Sequence, residues 1–116
     1  MLFRSVAMND QPDAVSVAEL DRRRRAGEVL TILDVREPWE LDIARFPDAL
    51  AIPLMTLPAR VGEVPTDHPV VVVCHHGMRS YQAMSWLRQN GVANAINLDG
   101  GIDAWARQIE PTMGVY

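Results

Sequence analysis

Four consecutive valines, Val70 to Val73, run into the single cysteine of the chain, Cys74, and then into a polar loop, His75-His76-Gly77-Met78-Arg79-Ser80. β-Branched side chains favour extended backbone, and a run with no polar alternation suits a strand buried on both faces, the pattern of a parallel sheet covered by helices. From Arg79 onward the segment RSYQAMSWLRQNG predicts a helix. Ala83, Met84 and Leu87 share one face, Gln82, Ser85 and Gln89 the other, and Asn90-Gly91 is a stop signal. Cys74 therefore falls where the carboxyl end of a strand meets the start of a helix. Open α/β sheets bind ligands at that edge, and a helix start adds unpaired N–H groups and a positive dipole end suited to an anion.

A free thiol with a pKa of about 8.5 is only about 3% thiolate at pH 7, whereas a pKa of roughly 6.5 makes about three quarters of it nucleophile. The loop after Cys74 has the means to produce that change. Backbone N–H groups from His75 to Ser80 can curl around the sulfur, Gly77 can adopt a positive φ, and Arg79 and the two histidines add donors. A lone cysteine after a valine run is by type alone more often an inert core side chain. His-His-Gly-x-Arg-Ser, however, is a poor sequence for core and a good one for cradling an anion, and it favours the reactive reading.

The chain has 116 residues, the size of one domain with a single core, and all 11 of its basic residues are arginine against 15 acids. A net charge of −4 offers neither a nucleic-acid footprint nor a general attraction to anionic membrane, so any anion must be drawn locally. One cysteine makes no internal disulfide, no stretch approaches ~20 apolar residues, and Met1-Leu2-Phe3-Arg4 lacks the pattern of a signal peptide. These features lead to the expectation of a cytoplasmic protein.

Residues 1–13 read as a lead-in whose Leu2, Phe3 and Val6 can pack on the domain or on a partner, 14–110 as the domain, and 111–116 as a short tail. Ala14-Val15 suits a short strand, and Ser16-Val17-Ala18-Glu19 opens a helix running to Gly27. Its Arg22–Arg25 run spreads around the helix and is expected to be mostly solvated. Val29 to Val35 reads as a second strand that delivers Asp34 and Arg36 to the edge holding Cys74. An Asp34–Arg79 bond is the expected brace for the loop, with Arg36 facing the ligand, Glu37 or solvent. Pro38 suits the first turn of a helix over Trp39–Ala44, Leu50–Ile52 a third strand, and Leu54–Val61 a helix made irregular by Pro58. His68 falls in a connecting turn and is expected in solvent. Ala93–Leu98 suits a last strand, Gly100-Gly101 a tight turn and Ile102 onward a closing helix, with Trp86 and Trp105 in the core or at its rim. The alternation of strands and helices implies a three-layer α/β/α domain with a parallel sheet of about five strands. Adjacent histidines usually diverge and no second Cys/His cluster exists, so neither a metal nor another cofactor is expected.

Four segments in order resemble the motifs of rhodanese-type sulfurtransferases: Leu33-Asp34-Val35-Arg36-Glu37, Ala49-Leu50-Ala51-Ile52-Pro53-Leu54, the 74–80 loop, and Leu98-Asp99-Gly100-Gly101-Ile102-Asp103-Ala104-Trp105. The chain departs from that family at Ala44-Arg45-Phe46 and Pro47-Asp48-Ala49, where relatives commonly carry Gly-His-Ile and Pro-Gly-Ala; Asp48 tolerates positive φ better than most residues. The resemblance implies the strand order 3-2-4-5-1 and a sulfur relay. In that relay Cys74 takes a sulfane sulfur from a small anionic donor such as thiosulfate, and the resulting persulfide passes it to cyanide, a thiol or a protein acceptor. His75, His76, Gly77, Met78, Arg79 and Ser80 would form the persulfide cradle, with Asp34 and Arg36 in support. Two alternatives accompany it. One is a sulfur-carrier or regulatory module with little turnover, and the other a Cys-dependent phosphatase, disfavoured because phosphatase loops follow Cys-x5-Arg whereas four residues separate Cys74 from Arg79.

Overall fold

The structure is a computed structural model that describes residues 11–116. The expected packing of Leu2, Phe3 and Val6 lies outside the described residues. Five parallel strands, β1 (Ala14–Val15), β2 (Thr31–Asp34), β3 (Leu50–Ala51), β4 (Val70–Val73) and β5 (Ala95–Leu98), pair in the order β1-β5-β4-β2-β3. This is the order that the family resemblance implies. Helices α1 (Val17–Arg25), α2 (Pro38–Ile43), α3 (Leu57–Arg60) and α4 (Met78–Gln89) make the connections, and α5 (Gly101–Gln108) follows β5. Among the described residues no helix is long and apolar enough to cross a membrane.

Strand parity divides the valine run between two cores. Val70 and Val72, with Leu33 and Val35, pack under Leu57, Ala83, Met84 and Leu87 of α3 and α4. Val71 and Val73, with Ile32, Ile96 and Leu98, pack on Leu20, Ile102 and Trp105 of α1 and α5. The result is three layers, and all four valines are fully buried. Full burial stabilises each such side chain by roughly 1.5–3 kcal/mol. The same parity carries Cys74 onto the α3/α4 side, at the carboxyl edge of the central strand.

Several local expectations change in detail. Helix α2 starts at Pro38, and Glu37 and Glu40 close a capping box over its first turn. The irregular helix expected at 54–61 divides into a 3-10 turn at Leu54–Thr56, α3, and a second 3-10 turn at Val61–Glu63. Among the described residues no non-glycine adopts positive φ, so Asp48 closes its turn without it, Ala49 N–H donating to the Phe46 carbonyl at 3.2 Å. Of the arginine run, Arg22 and Arg25 are solvated while pairing with Glu19 and Asp21, whereas Arg24 lies over the Phe46 and Trp105 rings and the more buried Arg23 shares Glu19 with Arg22. His68 is not a solvent residue. Its ring meets the Thr31 hydroxyl at 2.7 Å and its carbonyl accepts from Asn94, which ties the amino ends of β2 and β5 to the turn before β4.

Candidate active site

The turn from β4 into α4 holds the sulfur. Cys74 is almost wholly buried, and its Sγ accepts from the Gly77 N–H at 3.1 Å and the Ser80 hydroxyl at 3.2 Å. Gly77 makes this possible with φ +107°, a left-handed conformation that turns its amide back toward the sulfur at the cap of α4. The first-turn amides of Met78, Arg79 and Ser80 have no acceptor within the helix, so the positive end of α4 stands beside the sulfur. The Met78 side chain projects outward and is 78% exposed.

Ser80 has one hydroxyl proton and two neighbours that can take it, the sulfur and Asn97 Oδ1. When sulfur carries its proton, S–H can donate to Ser80 while Ser80 donates to Asn97; when sulfur is anionic, the hydroxyl can turn to it. Asn97, on β5, is held in place by donating to the Gly77 carbonyl (3.3 Å) and Asp99 (3.1 Å). Its role was missed in the sequence. The available signal was a lone amide inside the otherwise apolar strand Ala95–Leu98, since a buried amide requires partners.

The other side of the loop is anchored by α5. Ile102 and Asp103 N–H groups donate to the carbonyls of Cys74 (2.9 Å) and His75 (3.1 Å). A Cβ at Gly101 would collide with those same carbonyl oxygens, and Gly101 has φ +62°. The glycine pair thus does more than make a turn. It lets the helix end approach the cysteine loop.

The expected Asp34–Arg79 brace does not form. Both oxygens of Asp34 are taken by Arg36 two residues on, at 2.9 Å from Nε and 2.7 Å from Nη2, with the Arg36 N–H adding a third bond at 3.1 Å. Nor does Arg36 face a ligand, Glu37 or solvent, because both partners are fully buried and Arg36 also donates to the Ala44 carbonyl at 2.7 Å. Arg79 instead makes a bidentate pair with Glu40 of α2, both bonds at 2.7 Å. The pair lowers the Glu40 pKa to about 2, chiefly through the Arg79 hydrogen bonds, and raises that of Arg79. Nothing in the sequence pattern marked Glu40.

Residues 111–116 do not form a free tail. The Tyr116 ring stacks on His75 at 3.8 Å with a 7° interplanar angle, and His76 stacks on His75 at 3.9 Å and 28°. Adjacent imidazoles expected to diverge are instead layered. Burial first, and then His76, lower the His75 pKa, against a backbone hydrogen bond with Tyr116 that raises it. His75, His76 and Asp103 bring potential ligand atoms within 4.8 Å of one another, and His75 Nε2 is buried without a hydrogen-bond partner among the described residues. Arg107, however, holds the Asp103 carboxylate at 3.0 Å, and stacked rings present faces to each other rather than lone pairs to one point. The arrangement reads as an aromatic stack rimmed by an acid. Separately, Trp86 of α4 lines an apolar cavity of about 270 Å³ with Leu54, Leu57, Pro58, Gln82 and Ala83, in keeping with a place at the core rim.

A parallel five-stranded sheet with a buried cysteine at the carboxyl end of its central strand, in a loop closed by a helix start, defines a three-layer α/β/α domain with a candidate thiol site. The chain belongs to the rhodanese-like domain family, whose sequence profile matches residues 16–108. It is 43% identical over 88 residues to a sulfurtransferase of Allochromatium vinosum, across 76% of this chain and 82% of that protein. The probable adenylyltransferase/sulfurtransferase MoeZ of Mycobacterium tuberculosis is 37% identical over 93 residues, 78% of this chain but 24% of that longer protein. Among solved structures, a rhodanese-related protein from Thermoplasma volcanium superposes with a TM-score of 0.77 at 32% identity, covering 86% of this chain and 96% of that one.

Proposed function

We propose that this protein is a sulfurtransferase that moves a sulfane sulfur from a small anionic donor, thiosulfate as the default, through Cys74 to cyanide, a thiol or a protein acceptor. The observation that carries the reading is the pair of donors on one buried sulfur, Gly77 N–H and Ser80 O–H, at the positive end of α4. Such a site favours an anionic sulfur and fixes its donors before charge develops.

The Cys74 thiolate attacks the outer sulfur of thiosulfate. A new S–S bond forms to Cys74, the old S–S bond breaks, and sulfite leaves with the electron pair. The terminal sulfur of the persulfide is anionic, and the first-turn amides from Met78 to Ser80 with the Gly77 N–H are the groups to hold it. Cyanide or a thiolate then attacks that sulfur, and Cys74 leaves as thiolate. No electrons are gained or lost overall, so the relay needs no cofactor.

Each flanking residue has a distinct part. Arg79 ties the loop to Glu40 and adds positive charge near Cys74, while Asp34 and Arg36 form the rigid floor beneath α2. His75, His76 and Met78 line the mouth and select donor and acceptor. Engagement of both terminal Arg79 nitrogens by Glu40 also argues against a phosphatase, which needs a guanidinium free to grip phosphoryl oxygens. The test is production of thiocyanate from thiosulfate and cyanide. Wild type is expected to turn over, Cys74→Ser to show none, and neither to hydrolyse an aryl phosphate. Thiocyanate production retained in Cys74→Ser would overturn the assignment.

A further inference from the structure

After α5 the chain doubles back across the site. Met113 donates its N–H to the Glu110 carbonyl at 2.9 Å and packs on the α1/α5 core. Gly114 then passes so close to α2 that a Cβ there would lie 2.6 Å from the Ile43 carbonyl oxygen. Two residues on, Tyr116 reaches the mouth of the cysteine loop.

Three kinds of contact meet in that side chain. Its ring stacks on His75 at 3.8 Å, with Trp39 edge-on at 5.8 Å. Its hydroxyl accepts from Arg36 Nη1 at 2.8 Å and donates to Glu40 Oε1 at 2.8 Å. Glu40 Oε1 also accepts from Arg79 Nη2, while Oε2 accepts from Arg79 Nη1 and from the Glu37 N–H at 2.9 Å. Four donors therefore fix one carboxylate, and that carboxylate fixes Arg79. His75, meanwhile, is held between two rings.

We infer that Tyr116 is a positioning residue of the sulfur pocket: by clamping Glu40 and His75 from outside, it holds Arg79 and the outer half of the 74–80 loop where a sulfur donor must enter. The inference rests on the sulfurtransferase reading. Tyr116 acts through Glu40 and His75, so its loss affects capture of the donor more than transfer from a loaded Cys74. Because Gly114 sets the path of the segment, an alanine there displaces Tyr116 without touching the pocket.

The experiment measures thiosulfate KM and kcat in wild type, Tyr116→Phe, Tyr116→Ala and Gly114→Ala, with thermal unfolding of each and intact mass after thiosulfate at saturation. Tyr116→Phe keeps the stack and loses the hydroxyl bonds, so KM is expected to rise about threefold to tenfold with kcat within about twofold. Tyr116→Ala and Gly114→Ala are expected to raise KM further, with Phe partly restoring what Ala loses, and all three still to take up one sulfur at saturating thiosulfate. Wild-type KM in both Tyr116 variants, or kcat falling in step with a large drop in unfolding temperature, would overturn the positioning role. Failure of wild type itself to take up sulfur would instead count against the sulfurtransferase reading.

Discussion

Ser80 and Gly77 each give Cys74 one hydrogen bond, but only Ser80 can be deleted without altering the backbone. Hydrogen bonds to charged groups contribute about 1.5–3 kcal/mol, so Ser80→Ala is expected to lower the rate of sulfur uptake by roughly 10- to 100-fold while Cys74 stays buried, as followed by single-turnover mass spectrometry. Glu40 supplies a pH signature. Its folded pKa of about 2 lies below the ordinary value of 4.5, so its contribution is complete above 4.5 and lost as pH falls toward 2. With Arg79 partly exposed, that contribution is on the order of 2 kcal/mol. Denaturant unfolding of wild type and Glu40→Gln is expected to show a gap of that order at pH 7 that narrows below pH 4.5 and closes toward pH 2; a gap independent of pH would contradict the pairing. The cysteine loop was legible because its residues are contiguous and their types are wrong for core. The partners of Asp34 and Arg79 were not, because charge says only that opposite groups attract. Which carboxylate Arg79 meets depends on how α2 folds back 39 positions earlier in the chain.

At the scale of elements, the junction between the cysteine loop and α5 is the tightest constraint on the site. Gly101→Ala must place a Cβ against the Cys74 and His75 carbonyls at a positive φ, whereas Gly27→Ala has the positive φ but open space around it. Left-handed backbone costs a non-glycine residue roughly 1–2 kcal/mol. Gly27→Ala is therefore expected to lose about that much stability and keep its activity, while Gly101→Ala loses more stability and most of its sulfur transfer; chemical denaturation and the thiocyanate assay check both. Equal effects of the two substitutions would mean that the close approach does not matter. The central strand was readable from its β-branched run and the helix after Cys74 from its apolar face. The segment around Pro58 was harder to bound, because short 3-10 turns carry little periodicity. His68 and Tyr116 were misjudged for one reason: turn and tail segments have no periodic face, so nothing local shows what folds against them.

Over the whole molecule, the valine strand is shared by two cores, one on each face of the sheet. Leu87→Ala under α4 and Leu20→Ala under α1 each remove a fully buried side chain, and each is expected to cost about 2–5 kcal/mol in one cooperative unfolding transition followed by fluorescence and circular dichroism. Separate transitions would show that the faces fold independently. Alternating strands and helices implied the layers directly, but periodicity does not encode strand order, and that came from the ordered motifs of the family. The central claim is that Cys74 carries sulfur. The most direct test is the intact mass of wild type and Cys74→Ser under non-reducing conditions after thiosulfate, and again after cyanide. Wild type alone should gain one sulfur atom and lose it to cyanide. No gain in wild type, or an equal gain in Cys74→Ser, would contradict the account.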